Sequence, residues 1–406
     1  MIVMKFGGTS VQDAKALDRV AQIVQGRLAD RPVVVVSAMA KVTDSLLAMG
    51  KAAGSGDRKT ALKMARALRE RHYETAGELL GTALFTEFHG DLGADFEDLD
   101  ELLRGIGAVG EITPRTYDNV ASFGEVLSSK IVAATFVARG LPGVHVDSRQ
   151  CLLTDNSFMR AVPLFDETNE RLQKKVKPLL DAGKVPVMGG FIGSNRAGIT
   201  TTIGRGGSDF SAAIFGAALD AERIEIWTDV DGMMTTDPRL CPDARRIKVI
   251  SFDEAAELAY FGAKVLHPAT VLPAIQKNIP VYVLNSQNPT CEGTKITARA
   301  PRCTNIFKAI ALKKKITLVD VAAVGPLSVC AATVNVLWPP ATMFTFVASA
   351  VNVVAVTAGC ATPLIVTTYV VAPGTAIQFN VTEPSAVRVC VNPVGPAARA
   401  TTGAAT

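Results

Sequence analysis

The chain has 406 residues, a formal net charge of +4 and 48% hydrophobic residues, enough for two or three domains around a large core and unlike a disordered or fibrous polypeptide. Its 42 basic and 38 acidic residues are interspersed without a basic stripe, which argues against a nucleic-acid partner. Seven cysteines with no C-x-x-C spacing and only four histidines argue against a structural metal and for a reducing, cytoplasmic setting.

The chain enters a strand pattern at once, Ile2 to Phe6, with no charged stretch leading into a long apolar run, so no secretory signal is expected. Short apolar, β-branched runs then recur at Pro32 to Ser37, Gly143 to Val146, Val185 to Ile192, Arg223 to Val230 and Ile279 to Leu284. Helical patterns separate them. This alternation predicts an α/β fold whose mainly parallel sheet carries helices on both faces. Asp57 to Leu80 places Leu62, Ala65, Leu68 and Tyr73 at helical spacing with charge on the other side, which reads as an amphipathic surface helix in a subdomain or lid.

Composition changes near Val321. From there to Thr406 only Glu383, Arg388 and Arg399 are charged, 3 of 86 residues against 77 of the preceding 320, which marks a second region built by other rules. Ala341 to Ala361 passes a crude hydropathy window for a membrane span. It is nevertheless rich in Thr, Val and Asn and lacks a basic flank, so buried strands are the preferred reading.

Three stretches carry chemistry. Lys5 ends the first strand, and Gly7 and Gly8 follow where the chain turns towards a helix over Asp13 to Leu28. Without Cβ atoms such a turn brings backbone N–H groups close to an anion at a helix N-terminus. The plain alternative is a tight strand-to-helix turn beside an incidental lysine, and the G-x-x-x-x-G-K-[ST] pattern of a P-loop is absent. Thr200 to Ser211, "TTTIGRGGSDFS", leads into an apolar helix at Ala212 to Leu219. Gly204, Gly206 and Gly207 permit close backbone approach, Ser208 or Asp209 can cap the helix, and Arg205 offers a planar fork for a carboxylate or phosphate. A cation and an acid inside one glycine turn, on the carboxyl side of a strand, is where open α/β sheets bind ligands.

The third stretch, Trp227 to Arg239, reads "WTDVDGMMTTDPR". Asp229, Asp231 and Asp237 do not have the spacing of a calcium loop. A hydroxyl and an acid at a strand end, then a Gly turn and an Arg, suit the ribose and phosphates of a nucleotide better. "FGAKVLHP", Phe261 to Pro268, adds Lys264, and its His267 is read as structural rather than as a general base.

The segments "MKFGGTSV" (4–11), "VSAMAKVT" (36–43), "SFGEVLSS" (122–129), "GFIGSN" with "TTTIGRGGSDFSA", "IWTDVDG", "TTDPR" and "FGAKVLHP" together resemble the aspartokinases of the amino-acid kinase superfamily, in the right order over roughly residues 1 to 300. The resemblance implies an amino-acid kinase fold over residues 1–302, a mainly parallel sheet sandwiched by helices. A smaller α+β, ACT-like regulatory and dimerisation region would occupy residues 303–406. It implies ATP-dependent phosphorylation of the β-carboxylate of L-aspartate, as the first step towards lysine, threonine and methionine, with Mg²⁺ held mainly by the nucleotide phosphates. By motif, Lys5 stabilises the transferring phosphoryl group, Gly7 and Gly8 lie on the phosphates, and Asp209 orients the lysine and Mg-ATP. Arg205 pairs with a substrate carboxylate and Glu125 with its ammonium, while Thr43, Gly206, Gly207 and Ser208 complete the amino-acid pocket. Phe6, Ser37, Thr228, Asp229, Met234, Arg239, Lys264 and Val265 line the nucleotide site, Met234 standing where the family often carries an aromatic residue.

A carboxylate is already a nucleophile, so positioning and charge neutralisation carry phosphoryl transfer and no Ser/His/Asp arrangement is required. Two readings compete: an amino-acid kinase for another carboxylate or carbamate, and a non-catalytic amino-acid sensor that keeps the fold. In the tail, Ile316 to Val321 and Val351 to Thr357 resemble the first two strands of an ACT unit. The stretch between them, with Pro326, Pro339 and Pro340 and no charge, conflicts with a surface helix. An amino-acid effector such as lysine or threonine and a homodimer or higher oligomer are the expected partners of that region, with no nucleic acid and no membrane.

Overall fold

The computed structural model describes residues 1–260, 268–301, 308–310, 351–352 and 392–393. The chain divides into two compact units, one of residues 1–233, 246–256 and 264–301, the other of residues 234–245, 257–263 and 302–406.

Among the described residues the first unit is built on ten strands and their helices. The strands are β1 (Ile2–Phe6), β2 (Pro32–Val36), β3 (Gly143–Val146), β4 (Val185–Gly189), β5 (Ile192–Ser194), β6 (Thr200–Thr202), β7 (Arg223–Thr228), β8 (Val249–Ser251), β9 (Val281–Asn285) and β10 (Thr294–Thr297). Eight of them form one sheet in the order β3-β4-β2-β1-β7-β9-β10-β8, and β5 pairs with β6 in a separate two-stranded sheet. Every pairing from β3 through β9 in the large sheet is parallel, and β10 turns antiparallel to β9. The helices are α1 (Ala14–Gln25), α2 (Val42–Gly54), α3 (Arg58–Leu79), α4 (Thr82–Val109), α5 (Pro114–Ala138), α6 (Phe165–Lys175), α7 (Lys177–Asp181), α8 (Gly207–Ala218), α9 (Phe252–Tyr260) and α10 (Leu272–Gln276). Helix α9 runs across the boundary between the units.

Strand alternation decides what faces what. In β1, Ile2, Met4 and Phe6 join a hydrophobic cluster with Val34, Val36, Leu46, Phe96, Leu127 and Phe136, the layer of α1 to α5. Val3 and Lys5 therefore point to the other face, where α8 packs on β1, β2 and β7. A run that is buried at every position, as in β1 and β2, is what a parallel strand covered on both faces requires. Helix α5 is long and apolar enough to cross a bilayer, but 83% of its apolar window is buried inside the protein, as the central helix of this layer.

One expectation holds here and three are corrected. The Asp57 to Leu80 stretch is helix α3, capped by Asp57, whose Oδ1 accepts from Thr60 N at 3.1 Å. It is amphipathic as expected: Ala61, Ala65, Leu68 and Ala76 are buried in the core cluster against neighbouring helices, while Lys59, Lys63, Arg66, Glu70 and Glu74 are exposed. The expected strand Val185 to Ile192 breaks after Gly189, because Phe191 adopts φ +64° and redirects the chain into the β5–β6 hairpin. The expected strand Arg223 to Val230 ends at Thr228. The helix starting at Gly207 has Gly206 at its N-cap, with φ +74° and no side-chain cap. Neither Ser208 nor Asp209 caps it; both lie inside its first turn, because glycine takes the left-handed cap position at little cost.

In the second unit the Thr235 amide donates to Arg245 O at 2.8 Å and the Ile310 amide to Thr235 O at 2.7 Å. Val351–Asn352 pairs antiparallel with Asn392–Pro393. The expected ACT strand Ile316 to Val321, the rest of Val351 to Thr357 and the bulk of the Ala341 to Ala361 window lie outside the described residues.

Candidate functional site

The parallel strands end side by side: Phe6 is in register with Val36 and with Trp227, Val36 with Gly189, and Thr228 with Asn285. The connections that leave this carboxyl edge carry the residues singled out above, so the topology brings together segments far apart in sequence.

Lys5 stands at the last-but-one position of β1 and is 8% exposed. Its Nζ lies 2.6 Å from Asp209 Oδ1, in the first turn of α8. The contact is a close ion pair without hydrogen-bond alignment, and Asp209 Oδ1 is otherwise buried and unpartnered. Around this pair the backbone is held tightly. Gly7 N donates to Trp227 O at 3.0 Å and Ser37 N to Phe6 O at 3.1 Å, while the Phe6 ring stacks on Trp227 with centroids 5.9 Å apart. A Cβ on Gly8 would sit 2.9 Å from Ala38 O, so the turn after β1 and the turn after β2 touch through backbone and only glycine fits.

Glu125 reaches the same edge from the middle of α5. It is 4% exposed, its Oε1 accepts from Ala38 N at 3.1 Å, and its Oε2 is buried with no partner. Burial pushes its carboxyl up to about 8, against the pull of the Ala38 amide and the Lys5 charge. A buried carboxyl with one orphaned oxygen beside a lysine is poised to receive a cationic group.

The glycine turn before α8 is also tightly seated. Gly204 and Gly206 have positive φ. A Cβ on Gly207 would meet Phe191 Cδ2 at 2.6 Å, and one on Gly190 would meet Ser208 Cα at 2.7 Å. Arg205 is exposed at the tip of this turn, Ser208 is half-buried below it, and Thr43 is half-buried in the first turn of α2. On the other side of β1, Thr228 Oγ1 donates to Asp229 Oδ1 at 3.2 Å, and Ser286 N donates to Thr228 O at 2.8 Å.

Lys5, Phe6, Gly7, Gly8, Ser37, Glu125, Thr228, Asp229 and the Arg205 to Asp209 turn all belong to the first unit, and their elements converge on the carboxyl edge of the sheet. Met234 and Arg239 belong to the second unit; there Arg239 is exposed and forks onto Asp237. Lys264, Val265 and His267 lie outside the described residues. Among the described residues no group of three His, Cys, Asp or Glu side chains could hold a metal ion.

Four features escaped the sequence reading. The Gly190–Phe191 corner seats Ser208. The Ser10 and Ser286 hydroxyls bond at 2.8 Å beneath the β1 turn. Asn285 Nδ2 donates to Asp231 Oδ1 at 2.8 Å. Asp118 is a fully buried carboxylate. The paired glycines before Phe191 signal a special backbone; the other three have no local signature, since their partners are 40 or more residues away.

Comparison with known proteins agrees with this geometry. The sequence model described as "Amino acid kinase family" matches residues 1–285. The chain is 38% identical to aspartokinase 2, chloroplastic, of Arabidopsis thaliana over 326 residues, 79% of this chain and 59% of that protein. It is 37% identical to lysine-sensitive aspartokinase 3 of Escherichia coli over 334 residues, 80% of this chain and 70% of that one. Among solved structures, E. coli aspartokinase III in complex with lysine and aspartate superposes with a TM-score of 0.71 at 37% identity, covering 77% of this chain and 68% of that one. The form with aspartate and ADP superposes with a TM-score of 0.70 at the same identity and coverage. The chain spans less than two thirds of the length of the chloroplastic relatives it matches. A parallel sheet with its lysine and glycine turn at the carboxyl edge, matched over most of its length at these identities, places the chain in the amino acid kinase family and, within that family, among the aspartokinases.

Proposed function

We propose that the chain is an aspartate kinase, transferring the γ-phosphoryl group of ATP to the β-carboxylate of L-aspartate to give 4-phospho-L-aspartate. The observation that carries this reading is the pairing at one sheet edge of Lys5, ion-paired to Asp209, with Glu125 and its orphaned oxygen. That edge offers a cation for developing phosphoryl charge and a buried acceptor for an ammonium group.

In this reading the Glu125 Oε2 atom takes the substrate ammonium and Arg205 forks onto its α-carboxylate, which leaves the β-carboxylate free to attack. Thr43, Gly206, Gly207 and Ser208 close the amino-acid pocket. The nucleophile is ionised at neutral pH, so no base is needed, and rate comes from alignment and charge neutralisation. Lys5 neutralises charge that grows on the transferring group, and Asp209 holds its ammonium in place. Gly7 and Gly8 let the β1 turn approach the phosphates, and Phe6, Ser37, Thr228, Asp229, Met234, Arg239, Lys264 and Val265 serve the nucleotide. Mg²⁺ carried on the phosphates would add further neutralisation, and the Asp209 carboxylate, with Oδ1 free of hydrogen bonds, fits a metal-bearing nucleotide better than any cage of ligands.

Residues 1–302 form the catalytic part in this account. Residues 303–406 form an ACT-like part that takes an amino-acid effector such as lysine or threonine and joins subunits into a homodimer or larger oligomer. Free Cys151, Cys241 and Cys291 fit a reducing, cytoplasmic setting.

The test is ADP release from Mg-ATP by the full chain with aspartate, glutamate or N-acetylglutamate as acceptor. Aspartate-dependent release is expected, with little from N-acetylglutamate, because acetylation removes the ammonium that Glu125 would hold. Preference for the acetylated acceptor overturns the assignment of Glu125, and no release with any acceptor favours the sensor reading.

A further inference from the structure

Asp118 lies on α5, seven residues before Glu125 and therefore two turns away on the same side of the helix. It is fully buried and bonded to two other segments. Its Oδ1 accepts from Thr202 Oγ1 at 2.7 Å and from Met159 N at 3.0 Å; its Oδ2 accepts from Met159 N at 2.9 Å and from Thr202 N at 3.0 Å. Thr202 ends β6, two residues before Gly204, and its carbonyl also accepts from Ala161 N at 2.9 Å.

Met159 is a non-glycine residue at φ +69° and is 41% exposed. Left-handed backbone at such a residue is strained, and it persists only where surrounding bonds enforce it. Asp118 supplies that enforcement, since it holds the Met159 amide with both oxygens. The consequence reaches the turn, because Met159 O lies 3.3 Å from where a Cβ on Gly204 would stand. Gly204 itself has φ +80° and accepts from Gly207 N at 3.0 Å. One carboxylate thus ties the helix of Glu125 to the loop at Met159 and to the strand that delivers Arg205.

We propose that Asp118 is a positioning residue that fixes the Arg205 turn relative to Glu125, and so sets the spacing between the groups that grip the two charged ends of the amino-acid substrate. This rests on the aspartate kinase reading, and it assigns to Asp118 no contact with substrate.

The experiment is steady-state kinetics and amide hydrogen exchange on the full chain for wild type, Asp118→Asn and Thr202→Val. In Asp118→Asn a donor replaces an acceptor opposite a backbone N–H, so kcat/KM for aspartate should fall on the order of 10- to 100-fold, mainly through KM, with KM for ATP within about twofold of wild type. Thr202→Val removes only the hydroxyl bond and should move aspartate KM the same way, by roughly three- to tenfold. Exchange should quicken over residues 199–209 while β1 and β2 stay protected. A loss of kcat with both KM values unchanged, or a uniform rise in exchange, would make Asp118 a general stability residue and overturn the proposal. If Asp118→Asn fails to fold, Thr202→Val decides by the same readouts. If wild type does not turn over aspartate, the functional reading fails, and the exchange pattern alone still confirms or refutes the coupling of Asp118 to the Arg205 turn.

Discussion

Replacing Glu125 by glutamine keeps the shape of the side chain and the hydrogen bond from Ala38 N but removes the charge that the substrate ammonium would meet. Separating a buried ion pair by removing one partner costs roughly 3–5 kcal/mol. The wild-type carboxyl, however, is pushed up to about 8 by burial, so ionising it at pH 7 already costs about 1.4 kcal/mol. The difference is roughly 1.6–3.6 kcal/mol, or about 15- to 450-fold in kcat/KM for aspartate. Because kcat/KM reports the free enzyme, the wild-type value should climb with pH to a plateau above about 8, the value to which burial raises Glu125. Glu125→Gln should be flat over that range. Stability moves in the opposite sense. A raised carboxyl holds its proton in the native state where the unfolded chain has released it, so stability is fullest below the ordinary glutamate value and declines as pH rises through about 8. Thermal melts of Glu125→Gln should not show that decline. Coupled ADP-release assays from pH 6 to pH 9, with melts at the same pH values, make the comparison. Wild-type kcat/KM retained by the variant, or a wild-type profile that is flat, would refute the role given to Glu125.

Lys5→Ala should lower kcat by about 10²- to 10³-fold with the fold intact by circular dichroism; near-normal kcat would make Lys5 only the partner of Asp209. Arg205→Lys should cost roughly 1–3 kcal/mol in kcat/KM for aspartate, since a point charge cannot reproduce a planar fork. A change confined to ATP KM would place Arg205 on the other ligand. Gly8→Ala puts a methyl 2.9 Å from Ala38 O, so the turns after β1 and β2 must part. ATP KM should rise several-fold and Tm should fall, and unchanged values for both would show that this backbone contact is soft.

Much of this architecture is written in local pattern. The all-buried strands Ile2–Phe6 and Pro32–Val36 read directly as parallel core strands because period and composition agree. The glycine turn at Gly204 to Gly207 announces itself because positive φ demands glycine. What could not be read depends on distant partners. Asp57 to Leu80 reads as an amphipathic surface helix and is one, but the partners that bury its apolar face, α2, α4 and α5, lie in no local window. The cap of α8 was misplaced because Ser208 and Asp209 are better capping residues than Gly206 by propensity, whereas the backbone angle at Gly206 decides. Asp118 was invisible because a lone Asp near a helix start most often serves the helix itself, and its real partners, Met159 and Thr202, lie 41 and 84 residues on. Glu125 was found through the family motif; burial and the orphaned oxygen add the physical reason.

An acyl phosphate made from aspartate at this sheet edge can be trapped chemically. The most direct measurement incubates the full chain with Mg-ATP, aspartate and hydroxylamine, which converts an acyl phosphate to a stable hydroxamate, and identifies the product by mass. Aspartyl β-hydroxamate is expected in amounts equal to the ADP formed, with both reduced by about 10²-fold or more in Lys5→Ala. ADP without hydroxamate, or saturable aspartate binding with neither product, would contradict it.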